Sequence, residues 1–147
     1  MTTEERHRHH FEVVHPQIDR LARLICEASG IDDRVLEESR YQDLAAFYEE
    51  QVRLGCWHPA LTEALADFTA SRDAAAALPY YRLALDQARE LDSHSHTILI
   101  AMAQALFEAG QKEQAEACLR DGRAEALRRE DDEYVQRADE ILRDTSA

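Results

Sequence analysis

The sequence predicts an all-α protein. Glycine and proline are scarce, with four and three residues in a chain of 147, and such a composition favours helix. Apolar residues also recur at the three-and-four spacing of amphipathic helices in successive stretches. In the clearest stretch, His96–Leu127, two such patterns meet at Gly110. A glycine between two amphipathic patterns predicts a helical hairpin.

The N-terminal third divides into a lead-in and a pair of helices. Residues 1–10 are polar and rich in histidine and lack an apolar stripe, so we predict a flexible, frayed or weakly helical lead-in. Residues 11–55 carry two apolar stripes, the first stopping at Gly30 and the second ending at Gly55, which predicts an N-terminal helical pair. Pro16 suits the first turn of the first of these helices.

Residues 59–129 contain two copies of one apolar pattern, which indicates an internal repeat. A shift of 38 residues superposes equivalent positions: Leu61 on Leu99, Phe68 on Leu106, Ala77 on Ala115 and Tyr81 on Leu119. The first copy is degenerate, because Pro79 falls inside its second helix, where we expect a kink or a late helix start near Leu78. A last stripe over 130–143 predicts an amphipathic helix that closes the apolar end of the stack.

The second copy resembles the tetratricopeptide repeat. It fits that family's order of large, large, small, large, glycine, small, large and small residues, with Leu99, Met102, Ala103, Leu106, Gly110, Ala115, Leu119 and Gly122. Leu127 replaces the proline that often closes such repeats, which indicates the longer-helix variety. The resemblance implies antiparallel hairpins stacked as a short right-handed superhelix. Residues 11–147 would then form a single domain, with 130–143 as its capping helix.

The resemblance also implies a binding surface. Tetratricopeptide proteins bind extended or helical segments along the concave face of the first helices of their repeats. Carried over residue by residue, that face gives a predicted groove formed by Thr62, Ala66, Thr69, Thr97, Ile100, Gln104, Phe107 and Glu108. Ile100 and Phe107 lie off the packing stripe, which is expected both of partner anchors and of residues covered by the helices of 11–55.

Charge and composition narrow the partners. A net charge of −13 argues against nucleic acid, which is bound through basic patches, and favours a basic partner for an acidic rim. No apolar run approaches the roughly 20 residues of a membrane span, and no export leader is evident at the N-terminus. Three separate cysteines without a CxxC pair fit a reducing cytoplasm.

Catalytic motifs are missing from the sequence. It has no glycine-rich phosphate loop and no nucleophile elbow. Two Glu-x-x-His pairs, Glu4 with His7 and Glu12 with His15, have the spacing of ligands on one helical face, yet di-iron sites also need carboxylates from facing helices. We therefore predict no metal and no cofactor, and we interpret Cys118 as a core residue.

The leading hypothesis is a non-enzymatic protein–protein interaction module that binds a protein or peptide segment in a helical groove with an acidic rim. A small bacterial adaptor, a secretion chaperone and a toxin-neutralising immunity protein all fit this description. Two alternatives stay open. The first is a metal- or thiol-dependent helical enzyme that uses the N-terminal histidines or Cys56. The second is a structural homo-oligomerisation unit.

Overall fold

A computed structural model confirms the all-α class. It describes residues 1–145, which form helices and turns and no strand. The helices are α1 (Thr3–His9), α2 (His15–Gly30), α3 (Arg34–Arg53), α4 (Pro59–Ala70), α5 (Ala74–Glu90), α6 (His96–Glu108), α7 (Lys112–Arg128) and α8 (Asp132–Thr145), with a π-helical turn (His10–Val14) between α1 and α2. Within the described range, no helix is both long and apolar enough to cross a membrane.

The chain divides into two compact units, where the sequence predicted a single domain over 11–147. The first unit ends at Phe68 and the second begins at Thr69. In the first unit, α2 packs against α3. In the second unit, α6 packs against α5, α7 and α8, and α7 also contacts α8.

The predicted lead-in is helical and contributes buried side chains. Thr2 and Glu5 form a capping box, in which each side chain accepts the other residue's amide hydrogen at 3.1 Å. Arg6 and His10 are buried. Residues 1–10 therefore contribute two buried side chains, although they carry no apolar stripe. Arg6 is buried because two backbone carbonyls accept its hydrogen bonds, whereas the ring of His10 is buried by stacking on His58.

The π-helical turn follows from Pro16. Proline has no amide hydrogen to donate to the carbonyl of Glu12, and its ring crowds that carbonyl. A wider turn relieves the crowding, and in it the amide of His15 donates to the carbonyl of His10, five residues earlier. The helical path therefore continues from α1 into α2, and His10 and Val14 are buried within the turn.

Five helices end in the same left-handed turn. The residue that follows the cap has a positive φ in each case, and these residues are Asp32, Gly55, Asp92, Gly110 and Glu130. After α6, for example, the amide of Gln111 donates to the carbonyl of Leu106 at 2.9 Å. The predicted helix stops at Gly55 and Gly110 are confirmed.

Helix α5 begins earlier than predicted. It starts at Ala74, because Asp73 caps it by accepting the amide hydrogen of Ala76 at 3.2 Å. Pro79 lies inside the helix and removes one backbone hydrogen bond there. The expected late start near Leu78 is therefore wrong.

The predicted stripes of the α6–α7 hairpin are buried, and Gly122 permits the close contact between its helices. A Cβ atom at Gly122 would lie 2.8 Å from Cγ1 of Ile100, 3.0 Å from Cβ of Leu99 and 3.3 Å from the backbone nitrogen of Ile100. Real Cβ atoms essentially never approach other heavy atoms to 2.8 Å, and one of these neighbours is main chain. The hairpin therefore has no room for a side chain at Gly122.

We predict that Gly122→Ala destabilises the protein by about 1 to 3 kcal/mol and that Gly122→Leu costs more, because added methylenes force packed helices apart. Gly30→Ala is the matched control, since a Cβ there meets nothing within 4 Å and Gly30 is helical. It should stabilise by about 0.5 to 1 kcal/mol. Urea unfolding measures all three variants, and equal stability of Gly122→Leu and the parent chain would contradict the hairpin packing.

Candidate functional site

The predicted groove is closed at Ile100 by the protein's own C-terminal helix. Ile100 is 1% exposed and forms a core cluster with Ala103, Leu119 and Ala138. Phe107 is half-buried and packs against that cluster, as do several side chains of α8 and α7: Cys118, Tyr134, Ile141 and Leu142. Helix α8 therefore covers the two apolar positions that were expected to hold a partner or to lie under residues 11–55.

The other groove positions differ in exposure. Thr62, Ala66 and Thr69 on α4 are buried. On α6, Thr97 is half-buried, whereas Gln104 and Glu108 are exposed. Four of the eight predicted groove residues are thus buried.

A cleft between α2 and α3 offers accessible apolar surface in the first unit. It has a volume of about 290 Å³ and is lined by Gln17, Arg20, Leu21, Leu24, Arg40, Asp43, Ala46 and Phe47. We call it the α2–α3 cleft. The lining residues recur at three-and-four spacing on both helices, which places them along facing edges of the hairpin. Charged groups of both signs lie at the rim of its apolar walls, namely Arg20, Arg40 and Asp43.

The rim of the α2–α3 cleft is held by local contacts. Nε of Arg20 donates to the side-chain oxygen of Gln17 at 3.2 Å. Arg40 lies 3.7 Å from the carboxylate of Asp43, and both groups are partly exposed. Exposed ion pairs of this kind contribute little to stability, so these side chains can exchange their partners at small cost. The sequence showed that Leu21 and Leu24 belong to one apolar stripe. It did not show that Leu21 is buried whereas Leu24 is partly exposed.

The structure does not group the N-terminal histidines with the glutamates of the two Glu-x-x-His pairs. Among residues 1–145, no three potential ligands are grouped so that they could hold an ion. Glu4 pairs with Arg8 at 3.3 Å, and His15 lies 3.7 Å from Asp19. The two Glu-x-x-His pairs are therefore not brought together by facing helices.

His7, His10 and His58 instead form a histidine cluster held by direct contacts. Nδ1 of His7 lies 3.0 Å from Nε2 of His58. The rings of His10 and His58 stack with their centroids 3.9 Å apart and their planes at 10°. Beside the cluster, His9 is hydrogen-bonded to the side chain of Gln51 at 3.2 Å. These rings connect α1 and the π-helical turn to the segment before α4.

A second polar network surrounds the start of α6. The amide and hydroxyl of Ser95 both donate to the carboxylate of Glu125, and Arg129 pairs with the same carboxylate at 3.4 Å. His96 lies 2.8 Å from Asp131 through Nε2, while its Nδ1 is buried without a hydrogen-bond partner. This arrangement joins the α5–α6 turn to the end of α7.

Hydrogen bonds and charges in this network lower the pKa values of Glu125 and Asp131. Burial alone would raise the pKa of Glu125, but the two hydrogen bonds from Ser95 and the charge of Arg129 bring it below the ordinary value. The hydrogen bond from His96 lowers the pKa of Asp131. Both groups are therefore held as carboxylates at neutral pH, which suits a structural fastening.

The cysteine thiols give no support to nucleophilic catalysis. Burial, followed by the charge of Asp121, raises the pKa of Cys118, which lowers the fraction of reactive thiolate. The Cys56 thiol donates to the carbonyl of Leu54 at 3.8 Å. All three cysteines are free thiols, and Cys118 is half-buried against the apolar cluster of Ile100.

Comparisons with known protein families, with curated proteins and with solved structures yield no significant match.

We predict that Glu125→Gln lowers stability by about 1 to 2 kcal/mol, because the hydrogen bonds from Ser95 and the pairing with Arg129 lose their charged acceptor. Since the folded pKa values of Glu125 and Asp131 are depressed, the stability from these carboxylates is present above their ordinary values of 4.5 and 3.8 and is lost as the pH falls below them. Chemical unfolding measures this, with exposed Glu113→Gln as control. A loss equal to that of the control would refute the role of Glu125.

Proposed function

We propose that this protein is a non-enzymatic module that binds a protein or peptide partner, and that the α2–α3 cleft with the apolar side chains around its hairpin is the binding surface. A helical hairpin presents a rigid groove into which a partner can place apolar anchors at helical spacing. No catalytic arrangement is needed for this role. A reducing cytoplasm is part of the proposal, and the three free thiols support it.

The observation that carries the proposal is the uneven distribution of exposed apolar side chains. Of the nine large hydrophobic side chains exposed among the described residues, seven lie in the first unit. Two of the most exposed, Ile31 at 70% and Val35 at 83%, flank the turn between α2 and α3. Such side chains lose their unfavourable contact with water when a partner covers them, which supports an interaction surface on the first unit.

The charges of the protein favour a partner that combines basic groups with an apolar anchor. The net charge of −13 attracts a basic partner over a distance. At the α2–α3 cleft itself, Arg20, Arg40 and Asp43 surround apolar walls, so an apolar anchor flanked by polar groups of either sign fits the rim. The long-range field would guide the encounter, and the apolar walls would supply most of the affinity.

The tetratricopeptide-like superhelix also belongs to the proposal. The internal repeat and the α6–α7 hairpin with small residues at its contact support it. In this arrangement Ile100 is a core residue under α8. The predicted groove would then contribute to binding through its exposed polar positions, Gln104 and Glu108.

A photo-crosslinking amino acid tests where a partner binds. It replaces Ala46, an exposed residue that lines the α2–α3 cleft, or Ala124, an exposed alanine on α7 that serves as control. A partner captured at Ala46 and not at Ala124 supports the proposal, and capture of a second copy at Ala46 identifies a homo-oligomerisation unit instead. Capture at Ala124 alone contradicts the proposed surface.

We predict that Phe47→Ala weakens binding of the captured partner by about 30-fold, which corresponds to roughly 2 kcal/mol for an apolar anchor. Leu83→Ala removes another partly exposed apolar side chain, in the second unit, and should leave affinity unchanged. Isothermal titration measures affinity, and thermal unfolding of each variant verifies that it is folded. Equal affinities for a folded Phe47→Ala variant and the parent chain would exclude the cleft.

A further inference from the structure

Polar contacts fasten the N-terminal helix α1 to the segment that precedes α4, within the first unit. Nη1 of Arg6 donates to the carbonyl of Gly55 at 3.0 Å and to that of Trp57 at 2.8 Å. The same guanidinium lies 3.8 Å from the centroid of the Trp57 ring, within cation–π distance. Arg6 is only 9% exposed, so one buried cation holds α1 against the segment that precedes α4.

The hydrogen bonds of His58 determine its protonation. The amide of Ala60 donates to Nδ1 of His58 at 3.1 Å. An amide N–H can only donate, so this ring nitrogen carries no proton, and the neutral ring must carry its proton on Nε2. That proton is directed to Nδ1 of His7, 3.0 Å away, which accepts it. Both rings are therefore neutral in this arrangement.

Protonation of either ring would oppose these bonds. A proton on Nδ1 of His7 would place two N–H donors against each other across the contact with His58. A proton on Nδ1 of His58 would confront the amide of Ala60. His10 adds a third obstacle, because its ring is 2% exposed, stacks on His58 at 3.9 Å and has a buried, unpartnered Nδ1.

Several groups that are or can become cations lie near His10. Besides the cluster itself, α1 contributes Arg6 and His9, and α2 contributes His15, whose ring lies 6.0 Å from that of His10. From α3, the neutral side-chain amide of Gln51 is hydrogen-bonded to His9 beside the cluster. Within the N-terminal segment itself, Glu4 pairs with Arg8, Glu5 accepts the amide hydrogen of Thr2, and Glu12 is exposed.

We propose that residues Thr3–Val14 form an N-terminal clasp that holds the Gly55–His58 segment through neutral histidines and is released when the buried ring of His10 is protonated in mild acid. The clasp is independent of the function proposed above. Release would separate Arg6 from Trp57 and expose the indole, while the helices that follow Val14 stay folded. Histidine is the residue suited to this role, since its ordinary pKa lies just below neutrality.

The titration of His10 has the direction that the clasp requires. Burial, followed by the charges of His15, His7 and His9, lowers its pKa from 6.5 to about 4. Between these values the released segment binds more protons than the docked one. The docking free energy from neutral His10 is therefore fully present above pH 6.5 and is lost as the pH falls toward about 4.

Trp57 is the only tryptophan of the chain and therefore reports directly on the clasp. The experiment measures acrylamide quenching of its fluorescence in the full-length protein from about pH 7.5 to about pH 5, together with far-UV circular dichroism. Release should raise the quenching constant by roughly twofold or more, while most helical signal persists. Unchanged quenching would overturn the proposal, and so would loss of all helical signal at the same midpoint, since that is global unfolding.

Three variants sharpen the experiment. Arg6→Ala should show at about pH 7.5 the quenching that the parent chain shows at about pH 5, because the buried anchor is lost. His10→Phe keeps an aromatic ring on His58 but cannot titrate, so its transition should move to lower pH. His94→Ala is the matched control, since burial also lowers the pKa of His94 but it belongs to the second unit. A transition that moves with His94→Ala and not with His10→Phe would refute the clasp.

Discussion

The contact between Ile100 and Gly122 decides how the second unit is built. With no side chain at Gly122, α6 and α7 approach until the aliphatic chain of Ile100 fills the space that a Cβ would need. The same isoleucine continues into a cluster with Leu119 and Ala138, so α8 is drawn onto the hairpin. One position thus joins three helices, and its side chain is committed to the interior.

Most of the large exposed apolar side chains among the described residues lie in the first unit. In the second unit the amphipathic helix α8 supplies Tyr134, Ile141 and Leu142 to cover the apolar positions of α6. In the first unit, the α2–α3 cleft lies between the facing edges of α2 and α3. An apolar surface without cover is energetically costly in water, and a partner that covers it recovers part of that cost.

Polar side chains fasten the turns of both units. Arg6 and the histidine cluster secure the N-terminal segment, and Glu125 with Asp131 secures the start of α6. The two fastenings respond differently to pH. Glu125 and Asp131 are stabilised in their charged forms, whereas burial favours the neutral form of His10.

The sequence by itself determined the helical class, the α6–α7 hairpin and the helix ends at Gly55 and Gly110, because apolar spacing and glycine act locally. It also showed the small residue at Gly122, which permits the helices to touch. Only the tertiary structure decided that α8 covers Ile100 and Phe107, that the α2–α3 cleft stays open and that His7 meets His58, 51 residues away. Each of these depends on which distant segment reaches a given helix face, and periodicity records the existence of that face but not its occupant.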